Sequence, residues 1–533
     1  MIHRRIVRWV FAGLVLVLAL PAFASGTTES GEPEEQVLTV GLRKLTTIDP
    51  ALGANDPEVL FNRMQYDYLI EILPDGSLEP SLATDWEISD DGLTYTFALR
   101  SGVTFEDGSS FDADDVVFTF ERLVSEGSSI VGLMGQDEDG SATWSVRAVD
   151  DLTVEFELEQ PNADFLYGVA SRFALILSSE TGDVNVIADD DPYASFNGTG
   201  PFILEQYAAD ERAYFVANDD YWGGAPQIDG VELIFFDDTQ SQLDAFRAGT
   251  LDFIMKVPQD LLATLESVED ATVVTRPTNT HPVLRLRADE GSIGEDVRLR
   301  QAFKFATDRE LLNLDALDGA GTVANNDPIG PTYGALYNPQ ENRGYDPERA
   351  RELIAEVLAD GTGNGYVVED DGEARVEVPF YVGDTFEYPL VAEFLQQQWR
   401  EANIHVELNV VPENVYYAEG DNNWLNTQLG MTAWGTRPTP QEYLSVAYTT
   451  GAAFNESRWS DEELDRLAAE ASRTADIDER SEIYEQISGI FSERGPVIIP
   501  YFRPVVGAYQ NRVEELDMHP FPGRTDLSGV RLR

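Results

Sequence analysis

The 533-residue chain contains no cysteine, which excludes disulfides, thiolate metal sites and cysteine nucleophiles. It also offers no thiol to carry a lipid anchor. Lysine is scarce: Lys44, Lys256 and Lys304 stand alone, and every other basic residue is Arg. The histidines His3, His281, His405 and His519 are too scattered to form a chelating motif. The phosphate loop G-x-x-x-x-G-K-S/T, the nucleophile elbow G-x-S-x-G and the zinc motif H-E-x-x-H are all missing. No catalytic group is therefore assigned, no cofactor or metal is expected, and the chain reads as a non-enzyme. A pair of opposed glycosidase carboxylates is not readable in a chain this rich in acids.

What is abundant is acid. Ninety-six Asp and Glu face 36 Lys and Arg, a formal charge of −60. Such a surface repels nucleic acid and anionic lipid headgroups. The acids are spread along the chain rather than blocked, which favours a salt-adapted surface over a local ligand-steering field. With 43% hydrophobic residues the chain can bury a large core, and its length suits two to four domains of about 100–200 residues each.

The N-terminus reads as an export signal over residues 1–24. "MIHRRIVRW" supplies Arg4, Arg5 and Arg8, "VFAGLVLVLAL" an apolar core, and "PAFAS" an A-x-A site at Ala22 and Ala24. The apolar run is well short of the roughly 20 residues of a membrane span, with a signal anchor as the alternative. Cleavage would remove three Arg and no acid, taking the charge to −63. A polar linker over 25–36 follows. Without a lipid-anchoring cysteine, the mature chain is expected free in the periplasm as a monomer.

Strand-like alternation recurs in the first half, at 93–100, 152–159 and 231–236. Amphipathic helices mark the second half. "YDPERARELIAEVL" has Asp346 as N-cap and Pro347 at the first helical position. "SDEELDRLAAEA" offers Ser460 and Glu463 as a capping box. "YPLVAEFLQQQWREANIHVELNVV" reads as helix, turn, strand. This mixture indicates an α/β protein. The acidic stretch "VTFEDGSSFDADDVVFTFERL" (103–123) lacks the order of a calcium loop. Asp112 is instead placed to cap the following helix, with Asp114 and Asp115 in its first turn where the macrodipole favours negative charge.

Several blocks in order resemble the extracytoplasmic solute-binding proteins of family 5, the peptide- and nickel-type receptors of ABC importers. They are "LTYTFALRSGVTFEDGSSFDADDVVFTFERL", "GTGPFILEQY" (198–207), "NDDYWGGAPQIDGVELIFF" (218–236), "AFRAGTLDF" (245–253), "DVRLRQAFKFATDRELL" (296–312), "YDPERARELIAEVL" (345–358) and "RWSDEELDRLAAEA" (458–471). The resemblance implies a two-lobed α/β fold of the class II periplasmic-binding-protein type, with three domains and a hinged cleft. Domain I would comprise 37–58, 199–285 and 497–533, domain II would be an insertion over 59–198, and domain III would span 286–496. It implies a receptor that closes on a small solute, by default a peptide, and docks on an ABC permease. An oligosaccharide is the main rival ligand, and a secreted hydrolase the rival class.

The informative segment is "MTAWGTRPTPQEYLSVAYTTGAAFNES" (431–457). In similar peptide receptors a tryptophan here is followed three residues later by an aspartate that pairs with the peptide ammonium. Here Trp434 is in place, but Arg437 stands where the aspartate is expected, and a guanidinium accepts no hydrogen bond. Arg437 either clamps a ligand carboxylate, pairs with a nearby acid, or faces solvent. Trp434 either stacks on ligand or packs in the core. Gly435 and Thr436 can offer backbone groups, Asn455 is a polar candidate on the same lobe or a turn residue, and Thr47 is a candidate cleft residue beside Asp49, read as turn chemistry.

Overall fold

The computed structural model describes residues 35–533 except Glu138, Asp183, 185–195, Pro339, 342–343, Phe386 and 419–423. The expected signal peptide, and all but the last two residues of the expected linker, lie outside the described residues. Three large sheets, alongside three two-stranded ones, organise the described residues. The first has seven strands in the order Ala271–Pro277, Pro504–Gln510, Phe253–Ile254, Val37–Arg43, Gly230–Phe236, Arg212–Ala217 and Phe202–Ala208. Val37–Arg43 runs parallel to Gly230–Phe236. Their alternation buries Leu38, Val40 and Leu42 beside Val231, Leu233 and Phe235 in one core, as period-2 patterning requires.

The second sheet is antiparallel, with the order Ala83–Ile88, Thr94–Leu99, Thr153–Leu158, Trp144–Asp150. Helix Ala113–Ser125 packs on it through Val116, Phe120 and Leu123. The Asp112 side chain accepts from the Asp114 amide at 2.9 Å, and Asp115 accepts from the Asp112 amide at 2.9 Å. The acidic stretch is thus a capping box, and Asp115 also accepts from the Ser179 amide at 2.7 Å.

The third sheet contains Val367–Asp370, Glu373–Gly383, Leu429–Trp434, His281–Leu286 and Val497–Ile498, with Ile404–Val411 parallel to Glu373–Gly383. Helices Pro347–Asp360 and Tyr388–Glu401 cover it through Leu353, Ile354, Val391, Leu395 and Trp399. Asp346 caps the first of these, accepting from the Arg349 amide at 2.9 Å. In helix Glu462–Ala471 the cap is Asp461, not the expected Ser460: its carboxylate accepts from the Glu463 and Leu464 amides at 3.1 and 3.0 Å. An aspartate one residue nearer the helix reaches both free amides and also pairs with Arg494 at 2.6 Å.

Two expected boundaries cut through elements, and a third assigns a strand away from its own sheet. The cut at 58/59 falls inside helix Asp56–Arg63, and that at 285/286 inside strand His281–Leu286. Val497–Ile498 pairs with that same strand, so the expected cut at 496/497 leaves it in the wrong sheet. Sheet membership moves the crossings to 278–280 and 499–503. There the two chain segments brace each other: Thr278 donates to the Arg503 carbonyl at 2.6 Å and the Arg503 amide to the Thr280 carbonyl at 2.7 Å.

The first and second sheets form one lobe and the third the other. Buried Asp67 ties the first lobe together by accepting from Thr199, Tyr221 and Trp222 at 2.9, 3.0 and 2.8 Å. The "GTG" of 198–200 is explained by close approach. A Cβ at Gly198 would sit 1.8 Å from the Gln65 carbonyl oxygen, against which the Gly200 amide donates at 2.8 Å. Among the described residues no helix is long and apolar enough to cross a membrane.

Candidate ligand cleft

A cavity of about 430 Å³ lies between the lobes, within the range typical of small-molecule sites. The first lobe contributes Asp56, Ile72, Ile130, Leu133, Asp164, Arg172 and Phe173, and the C-terminal segment adds Phe521 and Arg524. The second lobe contributes Thr332, Tyr333, Thr436, Arg437, Gln441 and Glu442. Apolar walls with a few converging charges suit a ligand whose body is mixed and whose ends are ionised.

The local sequence explains the second-lobe wall. Strand Leu429–Trp434 stops before "GTRPTP", whose Pro438 and Pro440 can donate no ladder hydrogen bond. Pro440 instead opens a short helix, Pro440–Tyr443. The intervening residues turn into the cleft. Arg437 lies over the Trp434 ring at 5.4 Å from the centroid. Its Nε is 3.0 Å from Glu442 Oε1 without being aligned for a hydrogen bond, so the pair is coulombic and open to exchange. The Arg437 carbonyl accepts from Tyr333 at 3.0 Å.

Of the residues singled out by sequence, Thr436 and Arg437 line the cavity. The Thr436 hydroxyl meets that of Thr280 at 3.0 Å, next to the crossing segments. The Gly435 carbonyl is taken by Tyr443 at 2.8 Å. Trp434 is 8% exposed and packs edge-on against Tyr443 and Phe454, each at 6.1 Å. Behind it buried Arg285 pairs with Glu456 at 3.3 Å. Trp434 therefore supports Arg437 from the core side. Asn455 donates to the Thr449 and Trp459 carbonyls at 3.1 and 2.7 Å and accepts from the Trp459 amide. The Thr47 hydroxyl accepts from the Asp49 amide at 3.1 Å. These two residues are tied into turns apart from the cavity lining. Asp49, read as turn chemistry, accepts from the Ala51 amide at 2.9 Å and also forms a bidentate pair with Arg122.

Four charged groups escaped the sequence reading. Burial pushes the Glu442 carboxyl up, partly offset by Arg437 and Arg172. Arg172 donates to the Ala54 carbonyl at 2.8 Å and lies over Phe173 at 5.3 Å. Its pKa is lowered, first by burial. Asp164, in the first lobe, pairs with Arg480 of helix Ile477–Arg494 in the second, both side chains fully shielded. Asp164 also accepts from Thr439 at 2.7 Å, Arg480 donates to the Ala163 carbonyl at 3.1 Å, and the Ala163 amide donates to Ser472 at 2.9 Å. The lobes are latched beside the cavity that Asp164 lines. The one available signal was Arg172 itself, a lone cation in the run "GVASRFALIL" (168–177). Glu442 lies in the quoted segment but beyond two prolines from Arg437.

Comparison with known proteins agrees with this architecture. The profile described as "Bacterial extracellular solute-binding proteins, family 5 Middle" matches residues 77–455. The dipeptide-binding protein of Escherichia coli K12 is 30% identical over 79% of this chain and 80% of its own length. Heme-binding protein A of Haemophilus influenzae is 28% identical over 81% of this chain and 80% of its own. Among solved structures, HbpA2 from Haemophilus parasuis superposes with a TM-score of 0.78 at 26% identity, covering 93% of this chain and 99% of that one. The ABC transporter substrate-binding protein CtaP from Listeria monocytogenes gives 0.77 at 23% identity, covering 94% and 100%. With the profile spanning most of the chain and the three-sheet, two-lobed fold in place, the protein belongs to family 5 of the bacterial extracellular solute-binding proteins.

Proposed function

We propose that the protein is the periplasmic receptor of an ABC importer and that its ligand is a short peptide. The observation that carries this reading is the charged cavity walled by both lobes. A solute held by the Arg437–Glu442 pair on one wall and packed against Ile72, Leu133 and Phe173 on the other gains contacts in the closed state that no open state offers, and that difference drives closure. Peptide termini match the opposite charges of Arg437 and Glu442 set beside apolar walls; a neutral sugar would leave that pair unused. The relatedness to a dipeptide-binding protein points the same way. In this reading Arg437, Glu442, Thr436 and the backbone at Gly435 meet the ligand. Trp434 underlies Arg437, and Asn455 and Thr47 are scaffold. Residues 1–24 direct export, and the closed monomer docks on the permease.

The test is native mass spectrometry and thermal shift of the mature protein against di- to hexapeptides and oligosaccharides. A ligand that binds the folded state raises the melting temperature by mass action. Peptide-dependent stabilisation without turnover is expected. A response to sugars alone, or peptide cleavage, would overturn the proposal.

A further inference from the structure

The proposed function leaves one charge unaccounted for. Each charged side chain lining the cavity has an ion-pair partner among the described residues except Arg172. Asp56 pairs with Lys256 at 2.7 Å, Asp164 with Arg480, Arg524 with Glu71 at 3.2 Å, and Arg437 with Glu442 at 3.0 Å. Glu71 is shared with a second cation, Arg63. Counting the lining residues with their direct partners, five cations stand with four carboxylates, and Arg172 is the one in excess. That local excess of positive charge stands inside a chain whose formal charge is −60.

We infer that Arg172 anchors a second carboxylate of the ligand, so that the receptor selects peptides of net negative charge, those with an Asp or Glu side chain. This inference rests on the peptide reading above. A plain zwitterionic peptide can exchange with the Arg437–Glu442 pair, its ammonium replacing the guanidinium and its carboxylate replacing the Glu442 carboxylate. That exchange is neutral and leaves Arg172 drawn by Asp56 and Glu442 only at longer range, in direct contact with neither carboxylate. A further carboxylate removes the imbalance through a charge-assisted, bidentate contact in a site sheltered from bulk water. The position of Arg172 fits the task. One of its nitrogens is already held by the Ala54 carbonyl and the plane rests by Phe173, so the fork is oriented before ligand arrives and little side-chain freedom remains to be lost. It also stands on the lobe opposite Arg437, so a ligand held at both ends spans the cleft.

Calorimetry at fixed ionic strength on the mature protein tests this with alanyl-glutamate, alanyl-glutamine and alanyl-lysine, against wild type, Arg172→Gln and Arg172→Lys. Alanyl-glutamate should bind wild type roughly 10- to 100-fold more tightly than its near-isosteric glutamine counterpart. Arg172→Gln should abolish that preference while leaving alanyl-glutamine affinity within about twofold, and Arg172→Lys should restore part of it. An unchanged unliganded melting temperature in the variants separates ligand contact from misfolding. Equal binding of the glutamate and glutamine peptides to wild type, or a preference that survives Arg172→Gln, overturns the inference and leaves the peptide reading standing. If no peptide binds while another solute does, the peptide reading falls first and takes this inference with it.

Discussion

Replacing Arg480 by Gln should open the receptor and weaken its grip on any ligand. Arg480 and Asp164 come from different lobes and are both buried. Their contact therefore exists only while the lobes are together. In the closed form Arg480→Gln leaves Asp164 shielded from water with the Thr439 hydroxyl as its remaining side-chain partner. Stranding one member of a buried pair costs about 3–5 kcal/mol in general. The surviving Thr439 bond and a glutamine amide reduce this to about 2–4 kcal/mol. On opening, Asp164 regains its hydration, so the penalty falls on the closed state alone. At 1.4 kcal/mol per tenfold, the closed fraction drops roughly 30- to 1,000-fold relative to the open one. Ligand affinity falls by the same factor where the free receptor is mainly open. Where it is mainly closed, part of the change appears first as a larger radius of gyration without ligand. Calorimetry and small-angle scattering on the same variant read both. The double variant Asp164→Asn/Arg480→Gln removes both charges and should recover part of the loss. A single variant with affinity within twofold of wild type and unchanged scattering would refute the latch.

Arg437→Ala should weaken peptide binding at least tenfold while moving the unliganded melting temperature by only a few degrees, because the Arg437–Glu442 pair is part-exposed and such pairs contribute about 0–1 kcal/mol to folding. Equal loss of affinity and stability, by calorimetry and thermal melting, would make the pair structural instead. A second expectation concerns Asp327, whose carboxyl burial pushes up to about 7 from 3.8. Below pH 3.8 both folded and unfolded states hold its proton. As pH rises towards 7 the unfolded chain releases a proton that the folded chain keeps, so this group lowers stability progressively, by up to about 4 kcal/mol. Asp327→Asn cannot ionise and should gain on wild type between pH 4 and 7, then level off. Urea denaturation that shows the same difference at pH 4 and pH 8 would refute this.

The fold was legible where one residue pattern decides one element. Alternation in "LTYTFALR" and "VELIFF" marks strands Thr94–Leu99 and Gly230–Phe236, and the Asp112–Asp115 spacing marks a helix start. Errors arose where neighbouring residues compete for the same task. Ser460 and Asp461 are both good caps, and only the geometry shows which carboxylate or hydroxyl reaches the free amides. The boundary at 285/286 failed because the chain passes from one sheet to another within 278–280 without any change of pattern. The cleft was half legible. Arg437 stood out because it occupies a position where an acid was expected. Asp164 and Arg480 are 316 residues apart, and no local spacing shows that lobe closure brings them together. Arg172 is a lone cation in an apolar run that drew no reading, and its meaning depends on which carboxylates the other cations have already taken.

The opposition between surface and cleft gives a distinctive salt response. Over a formal charge of −60, self-repulsion disfavours the compact state, and the Debye length falls from about 30 Å at 0.01 M salt to about 3 Å at 1 M. The melting temperature should therefore rise with salt. For an anionic ligand the same surface is a long-range barrier to approach, whereas the Arg172 contact lies within the cavity and is screened far less. Added salt should then speed association of alanyl-glutamate and leave its dissociation nearly unchanged, the reverse of receptors whose surface charge attracts their ligand. Stopped-flow measurements from 0.01 to 1 M KCl separate the two rates. A falling association rate would mean that the ligand is drawn in by a local cationic field reaching beyond the cleft. A melting temperature flat across the same range would mean that the acids are spaced widely enough, or paired well enough, for repulsion not to matter to folding.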